Sequence, residues 1–149
     1  MSKQINDKMS FFKKAFGVLA VLDVIALISA VINLLPTSKQ MAEFGQPMVS
    51  IFILMTAGMV AIQVYEILAK VFLMKSTSPD FSWTTGGKRC VTAVKLLVLF
   101  NVGAVIINLL AAGGVGATLL NQANLYLRVL ASAAEMIAAF FYLRKVKKL

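Results

Sequence analysis

The chain has 149 residues, of which 60% are hydrophobic and 14% charged, and a formal net charge of +9. With a mean hydropathy of +0.86, it has too little polar side chain to cover a water-soluble globule of this size, so composition points to a lipid bilayer as solvent. Cys90, the single cysteine, cannot close an intrachain disulfide, and the sequence contains no histidine. That removes the commonest general base and transition-metal ligand, disfavours hydrolase, metalloenzyme and haem chemistry, and calls for no cofactor.

In chain order, the first segment, 1–14, is amphipathic. Ile5, Met9, Phe12 and Phe16 recur at spacings of three and four, with Lys3, Lys8, Lys13 and Lys14 among them. This is the pattern of a short helix lying in the headgroup region; the plainer alternative is a frayed basic tail that only sets topology. Four apolar runs follow, at 15–35, 48–74, 91–112 and 125–143. Because about 20 helical residues at about 1.5 Å each cross a hydrocarbon core of about 30 Å, each run is long enough to span. The expected fold is all-α, a polytopic membrane four-helix bundle forming one transmembrane domain over 1–149. The first run reads as a retained helix rather than a signal peptide: it is too long for an h-region, carries Asp23, and lacks a small-x-small cleavage site. Pro36-Thr37-Ser38, then Ser76-Thr77-Ser78-Pro79 with Gly86-Gly87, and last Gly113-Gly114-Val115-Gly116 mark the breaks. The last lacks the strand, Lys and Ser/Thr of a phosphate cradle and reads as a turn.

The basic residues cluster at alternate breaks. Lys3, Lys8, Lys13 and Lys14 precede the first run, Lys70, Lys75, Lys88, Arg89 and Lys95 surround the second break, and Arg144, Lys145, Lys147 and Lys148 follow the last run. The other connections hold only Lys39 and Arg128. The positive-inside rule then puts both termini and the middle loop in the cytoplasm. The positive charge is a topology signal and a contact with anionic lipid, not a nucleic-acid footprint, because no aromatic interleaving or binding motif accompanies it. Lys13, Lys14, Lys88, Arg89, Arg144 and Lys145 form the candidate cytoplasmic interaction face, open to a protein partner or a second copy of the chain.

The sequence also repeats itself. A shift of about 75 residues lays Lys13-Lys14 on Lys88-Arg89 and Ile32-Asn33-Leu34-Leu35 on Ile107-Asn108-Leu109-Leu110, and a shorter shift lays Glu66, Ala69 and Phe72 on Glu135, Ala138 and Phe141. The expected architecture is two tandem parallel hairpins, with repeat 1 at about 13–75 and repeat 2 at about 88–144. Ala26/Ala30, Ala57/Ala61 and Ala134/Ala138 are small-xxx-small pairs that would let helices approach, and Asn33 and Asn108 would hydrogen-bond across helices or to interfacial water.

Within the membrane, Asp23, Glu66 and Glu135 lie about nine residues in from the basic ends, one layer about 13 Å deep. Lys70 follows Glu66 at i+4, the order that favours an intrahelical pair, and Lys95 is the expected partner for Glu135. These five residues form a candidate intramembrane polar network: a structural cluster that orders the helices, or a proton or cation site.

The stretch SPDFSWTTGGKRCVTAVKLLV, with Pro79, Phe81-Ser82 and a basic pair entering an apolar helix, resembles the inter-hairpin loop of a bacterial family of small four-helix integral membrane proteins of unknown function. Asp80 stands between Pro79 and Phe81, where that family's pattern has the two adjoining. The resemblance implies the bacterial inner membrane and, because such proteins are often encoded beside small helix-turn-helix regulators, a regulatory partner at the cytoplasmic face. Phe81 and Trp83 would serve that contact or anchor the chain at the interface. The favoured function is a non-enzymatic interaction or regulatory subunit. The alternatives are a small oligomeric transporter or channel using the carboxylate layer, against which stands the lack of an evident internal Pro or Gly break in the helices, and an enzyme of lipid or quinone chemistry using Cys90.

Overall fold

The structure, a computed structural model, describes the backbone of residues 2–34, 38–112 and 119–146; side chains at 2–8, 29–30, 33–34, 38–41, 44, 46, 48, 52, 55, 111–112, 119–122 and 124–125 lie outside the description. Four helices account for nearly all of it: α1 (Ser2–Leu34), α2 (Ser38–Lys75), α3 (Trp83–Ala112) and α4 (Leu119–Val146), with no strand among the described residues. The all-α, four-helix expectation holds. α1 packs chiefly on α2 and α3 chiefly on α4, while the α2–α3 and α1–α4 seams are slighter. The expected turns at 36–37 and 113–116 fall outside the described residues.

Two departures from the sequence reading have local causes. The assignment of α2 runs through Gly45, whose φ of 70° and ψ of 160° are not helical, and reaches Pro47 two residues later. Gly45 tolerates a positive φ because it lacks a Cβ, and Pro47 then stands in the first turn of a renewed helix, where no amide donor is needed. A Gly/Pro break inside a helix therefore exists, contrary to expectation, though it precedes the apolar run. At the other end, 2–14 does not form a separate helix on the headgroups but continues into α1 without interruption. Met9, Phe12 and Phe16 are buried, and the last two meet the Tyr142 ring edge-to-face at centroid distances of 5.8 and 5.5 Å. The apolar stripe of this segment is thus covered by α4.

The core lies at the basic end. Its buried members include Met9, Phe12, Phe16 and Ala20 on α1, Ala69, Lys70 and Leu73 on α2 with Ser76 just beyond it, Cys90, Val94, Leu97 and Asn101 on α3, and Ser132, Ala139 and Tyr142 on α4. Toward the opposite end, no described residue of any helix is buried. Large apolar side chains such as Ile32, Leu54, Leu110 and Leu127 are exposed there. Such surface is far beyond what a monomer carries in water, and it suits contact with lipid. Among the described residues, Val49–Lys75, Trp83–Leu110 and Tyr126–Val146 are long and apolar enough to cross a membrane. Of the expected small-xxx-small pairs, Ala26, Ala57, Ala61 and Ala134 are exposed, Ala138 is half-buried against the core, and the side chain of Ala30 lies outside the description. The alanines buried among the described residues are Ala20, Ala69, Ala93 and Ala139, all at the basic end.

The α2–α3 connection is compact. Ser76 N and Thr77 N donate to Phe72 O and Met74 O at 3.0 and 3.2 Å, so backbone carbonyls of the last α2 turn are satisfied. Ser82 precedes α3, and its carbonyl accepts Gly86 N at 2.9 Å, the first helical bond, which fits its role as N-cap. Phe81 and Trp83 turn inward: Phe81 packs on Phe72 at 6.0 Å and on Trp83 at 5.0 Å. A Cβ on Gly86 would lie 2.3 Å from the tip of the Phe81 ring, which its two aromatic neighbours hold. Gly86→Ala is therefore expected to displace Phe81 and cost about 1–3 kcal/mol. Trp83 is the only tryptophan, so a lowered melting temperature together with a shifted Trp emission maximum in detergent checks this.

Candidate functional site

One residue from each helix meets in a single polar cluster above the core. Lys70 of α2 is 1% exposed and forms ion pairs with Asp23 of α1 and, at 2.7 Å, with Glu135 of α4. Asn101 of α3 donates from Nδ2 to Glu135 Oε2 at 3.0 Å and to the Leu97 carbonyl at 2.9 Å. Glu135 Oε2 thus accepts from both Lys70 and Asn101. The side chains of Asp23 and Glu135 are 16% and 11% exposed, so all three charges sit where an unpaired one would be costly.

Helix direction explains why Lys70 can do this. Side chains lean toward the N-terminus of their helix. α2 runs toward the basic end, so Lys70 leans away from that end, and its four-carbon stem lifts the ammonium into the carboxylate layer. Lys95 stands on α3, which runs the other way and leans it back toward the basic end. It also lies beside, not on, the buried stripe of Cys90, Val94, Leu97 and Asn101, and it is exposed. The expected Glu135–Lys95 pair is therefore not formed; Lys70 takes that position. Nor does Lys70 pair with Glu66. Glu66 is half-buried, within electrostatic range of Lys70, Glu135 and Asp23, and forms no ion pair within 4 Å among the described residues.

Asn101 was not singled out by the sequence reading, which favoured Asn33 and Asn108. Asn108 donates back to the Ala104 carbonyl of its own helix at 2.7 Å and makes no cross-helix bond among the described residues, and the side chain of Asn33 lies outside the description. The signal for Asn101 was available: it sits four residues after Leu97 and seven after Val94, on the apolar stripe that faces inward. A second polar contact, between Ser76 and Tyr142, lies nearer the basic end, where Ser76 Oγ also donates to the Leu73 carbonyl at 2.6 Å. Cys90 is fully buried beside Tyr142.

The basic residues expected to form an interaction face behave differently from Lys70. Lys13, Lys14, Lys88, Arg89 and Arg144 are exposed and Lys145 is half-buried. No group of three or more His, Cys, Asp or Glu residues able to hold a metal ion occurs among the described residues. The chain matches no family model, no curated protein and no solved structure.

Removing Lys70 leaves two carboxylates buried without a counter-ion. Lys70→Met is expected to cost about 3–5 kcal/mol, whereas Lys95→Met, at an exposed position, should change stability by no more than about 0.5 kcal/mol. Combining Lys70→Met with Asp23→Asn and Glu135→Gln should recover much of the loss, because replacing all members of a buried ionic cluster is often near neutral. Thermal unfolding of the purified variants in one detergent compares all three.

Proposed function

We propose that the chain is a non-enzymatic integral membrane protein of the bacterial inner membrane, acting as an interaction or regulatory subunit through its basic cytoplasmic face. In this reading all four helices cross the bilayer, both termini are cytoplasmic, and the chain is a tandem duplication of one hairpin. The observation that carries it is the division of the cations. Lys70 is consumed inside the bundle by two carboxylates, whereas Lys13, Lys14, Lys88, Arg89 and Arg144 project from the packed end. Long exposed cations that form no ion pair among the described residues suit anionic lipid and the acidic surface of a protein partner or of another copy. The tight packing at that end supports a rigid platform rather than a moving part.

One feature favours the second reading, a small oligomeric transporter or channel. Asp23, Glu66 and Glu135 are three carboxylates against one buried lysine, and a proton or cation would balance the surplus negative charge. The bonding of Asp23 and Glu135 to Lys70 weighs against an open path through them. The Gly45–Pro47 break, of the kind found beside transporter sites, lies about twenty residues from Glu66 along α2.

Topology is tested first: a reporter active only in the cytoplasm should work when fused after Leu149 and fail when inserted near Gly45. The opposite pattern would remove the basic end from the cytoplasm. For the function itself, Lys88→Gln with Arg89→Gln should reduce recovery of copurifying cytoplasmic protein several-fold at unchanged membrane insertion. In parallel, Glu66→Gln should leave proton and monovalent-cation flux into vesicles at the background level of the native chain. A native flux that this substitution abolishes would establish the transporter instead.

A further inference from the structure

Between α1 and α4, at the basic end, lies a groove of about 1230 Å³, larger than the roughly 300–1,000 Å³ of most small-molecule sites. Its walls are apolar, with Val18 on α1 facing Ala134, Ile137 and Phe141 on α4, and its lining includes three cations, Lys14, Arg144 and Lys145, and no acidic residue. Ala134, Ile137, Phe141 and Arg144 follow one another at steps of three and four, so they share one face of α4. From Ala134 to Arg144 that face runs about 15 Å, half of a hydrocarbon core of about 30 Å. The groove is one leaflet deep. Its inner limit, Ala134, adjoins Glu135 and so lies at the level of the ion cluster.

We propose that this groove binds one anionic glycerophospholipid of the leaflet at the basic end, with an acyl chain laid along Val18 and Ile137 and the phosphate held by Lys14, Arg144 and Lys145. This goes beyond the proposed function and rests only on its membrane placement, not on any protein partner. Charge complementarity selects the occupant. Arg144 offers a planar fork for phosphate oxygens and the two lysines offer point charges. A zwitterionic lipid, with no net charge, gains little from three cations. A second copy of the chain would bring its own basic end against this one, like charge against like. The lipid closes the slight α1–α4 seam by filling it, so it is a component of the bundle rather than part of the surrounding solvent.

The full chain is reconstituted in bilayers of equal phosphatidylglycerol and phosphatidylcholine, extracted into mild detergent, and weighed by native mass spectrometry. The native protein should retain phosphatidylglycerol in preference to phosphatidylcholine. At roughly fivefold per cation near an anionic surface, Lys14→Gln with Arg144→Gln should lower that retention about 25-fold. The charge-matched pair Lys75→Gln with Lys95→Gln, also exposed but absent from the groove, should change it by no more than about twofold. Ala134→Trp, which fills an exposed groove position without removing packing, should lower retention at unchanged charge. Equal losses in the two charge-matched pairs, retention without headgroup preference, or a protein dimer that survives without lipid would each overturn the proposal. A native chain that fails to enter the bilayer would overturn the membrane placement and this inference together, whereas one that enters but retains no lipid overturns this inference alone.

Discussion

One lysine buried between two carboxylates ties the four helices together. Lys70 pairs with Asp23 within the α1–α2 pair and with Glu135 across to the α3–α4 pair, and Asn101 steadies Glu135 from α3. The Lys70–Glu135 bond therefore joins two helix pairs that otherwise share only slight seams. Among helices in lipid there is little hydrophobic drive for association, because the tails are as apolar as the side chains they would release. Polar bonds and close packing must hold such helices. Here both occur at one end, the cluster lying just above the layer of Phe16, Leu73, Val94 and Tyr142.

The cluster also breaks whatever symmetry the repeated sequence carries. In the alignment of the two halves Glu66 corresponds to Glu135, yet Glu135 is bonded twice and Glu66 stands aside. Lys70 corresponds to Ala139, which is buried. Asp23 corresponds to Val98, and Asn101 to Ala26. The two aligned halves thus contribute different members to the cluster.

The basic end has two kinds of surface. Beside α2 and α3, the aromatic ladder of Phe72, Phe81 and Trp83 closes the connection inward, and Lys88 and Arg89 project from the first turns of α3. Beside α1 and α4, the wall stays open as an apolar groove rimmed with cations. The first surface offers charge alone, suited to an acidic protein face. The second pairs charge with a slot of acyl-chain dimensions. The lipid and the protein contacts proposed above would therefore fall on different sides of one end of the bundle.

Composition and hydropathy alone determined the all-helical class and the number of helices, because those depend on length and on average side-chain polarity, which are additive along the chain. The starts of α1 and α2, at Ser2 and Ser38 rather than at 15 and 48, lie in more polar segments that hydropathy does not mark. Residue counts from the basic ends also set Asp23, Glu66 and Glu135 at similar heights, and the structure joins Asp23 and Glu135 through Lys70. Only the tertiary structure decided which lysine serves that layer. The decision rests on two angular facts that a linear count does not hold: the direction each helix runs, which tilts Lys70 into the layer and Lys95 away from it, and the rotation of α3, which puts Asn101 inward and Lys95 outward. The burial of Met9, Phe12 and Phe16 was undecided for the same reason. An amphipathic stripe reveals that a segment will cover its apolar face, but whether lipid headgroups or Tyr142 does the covering depends on where α4 stands.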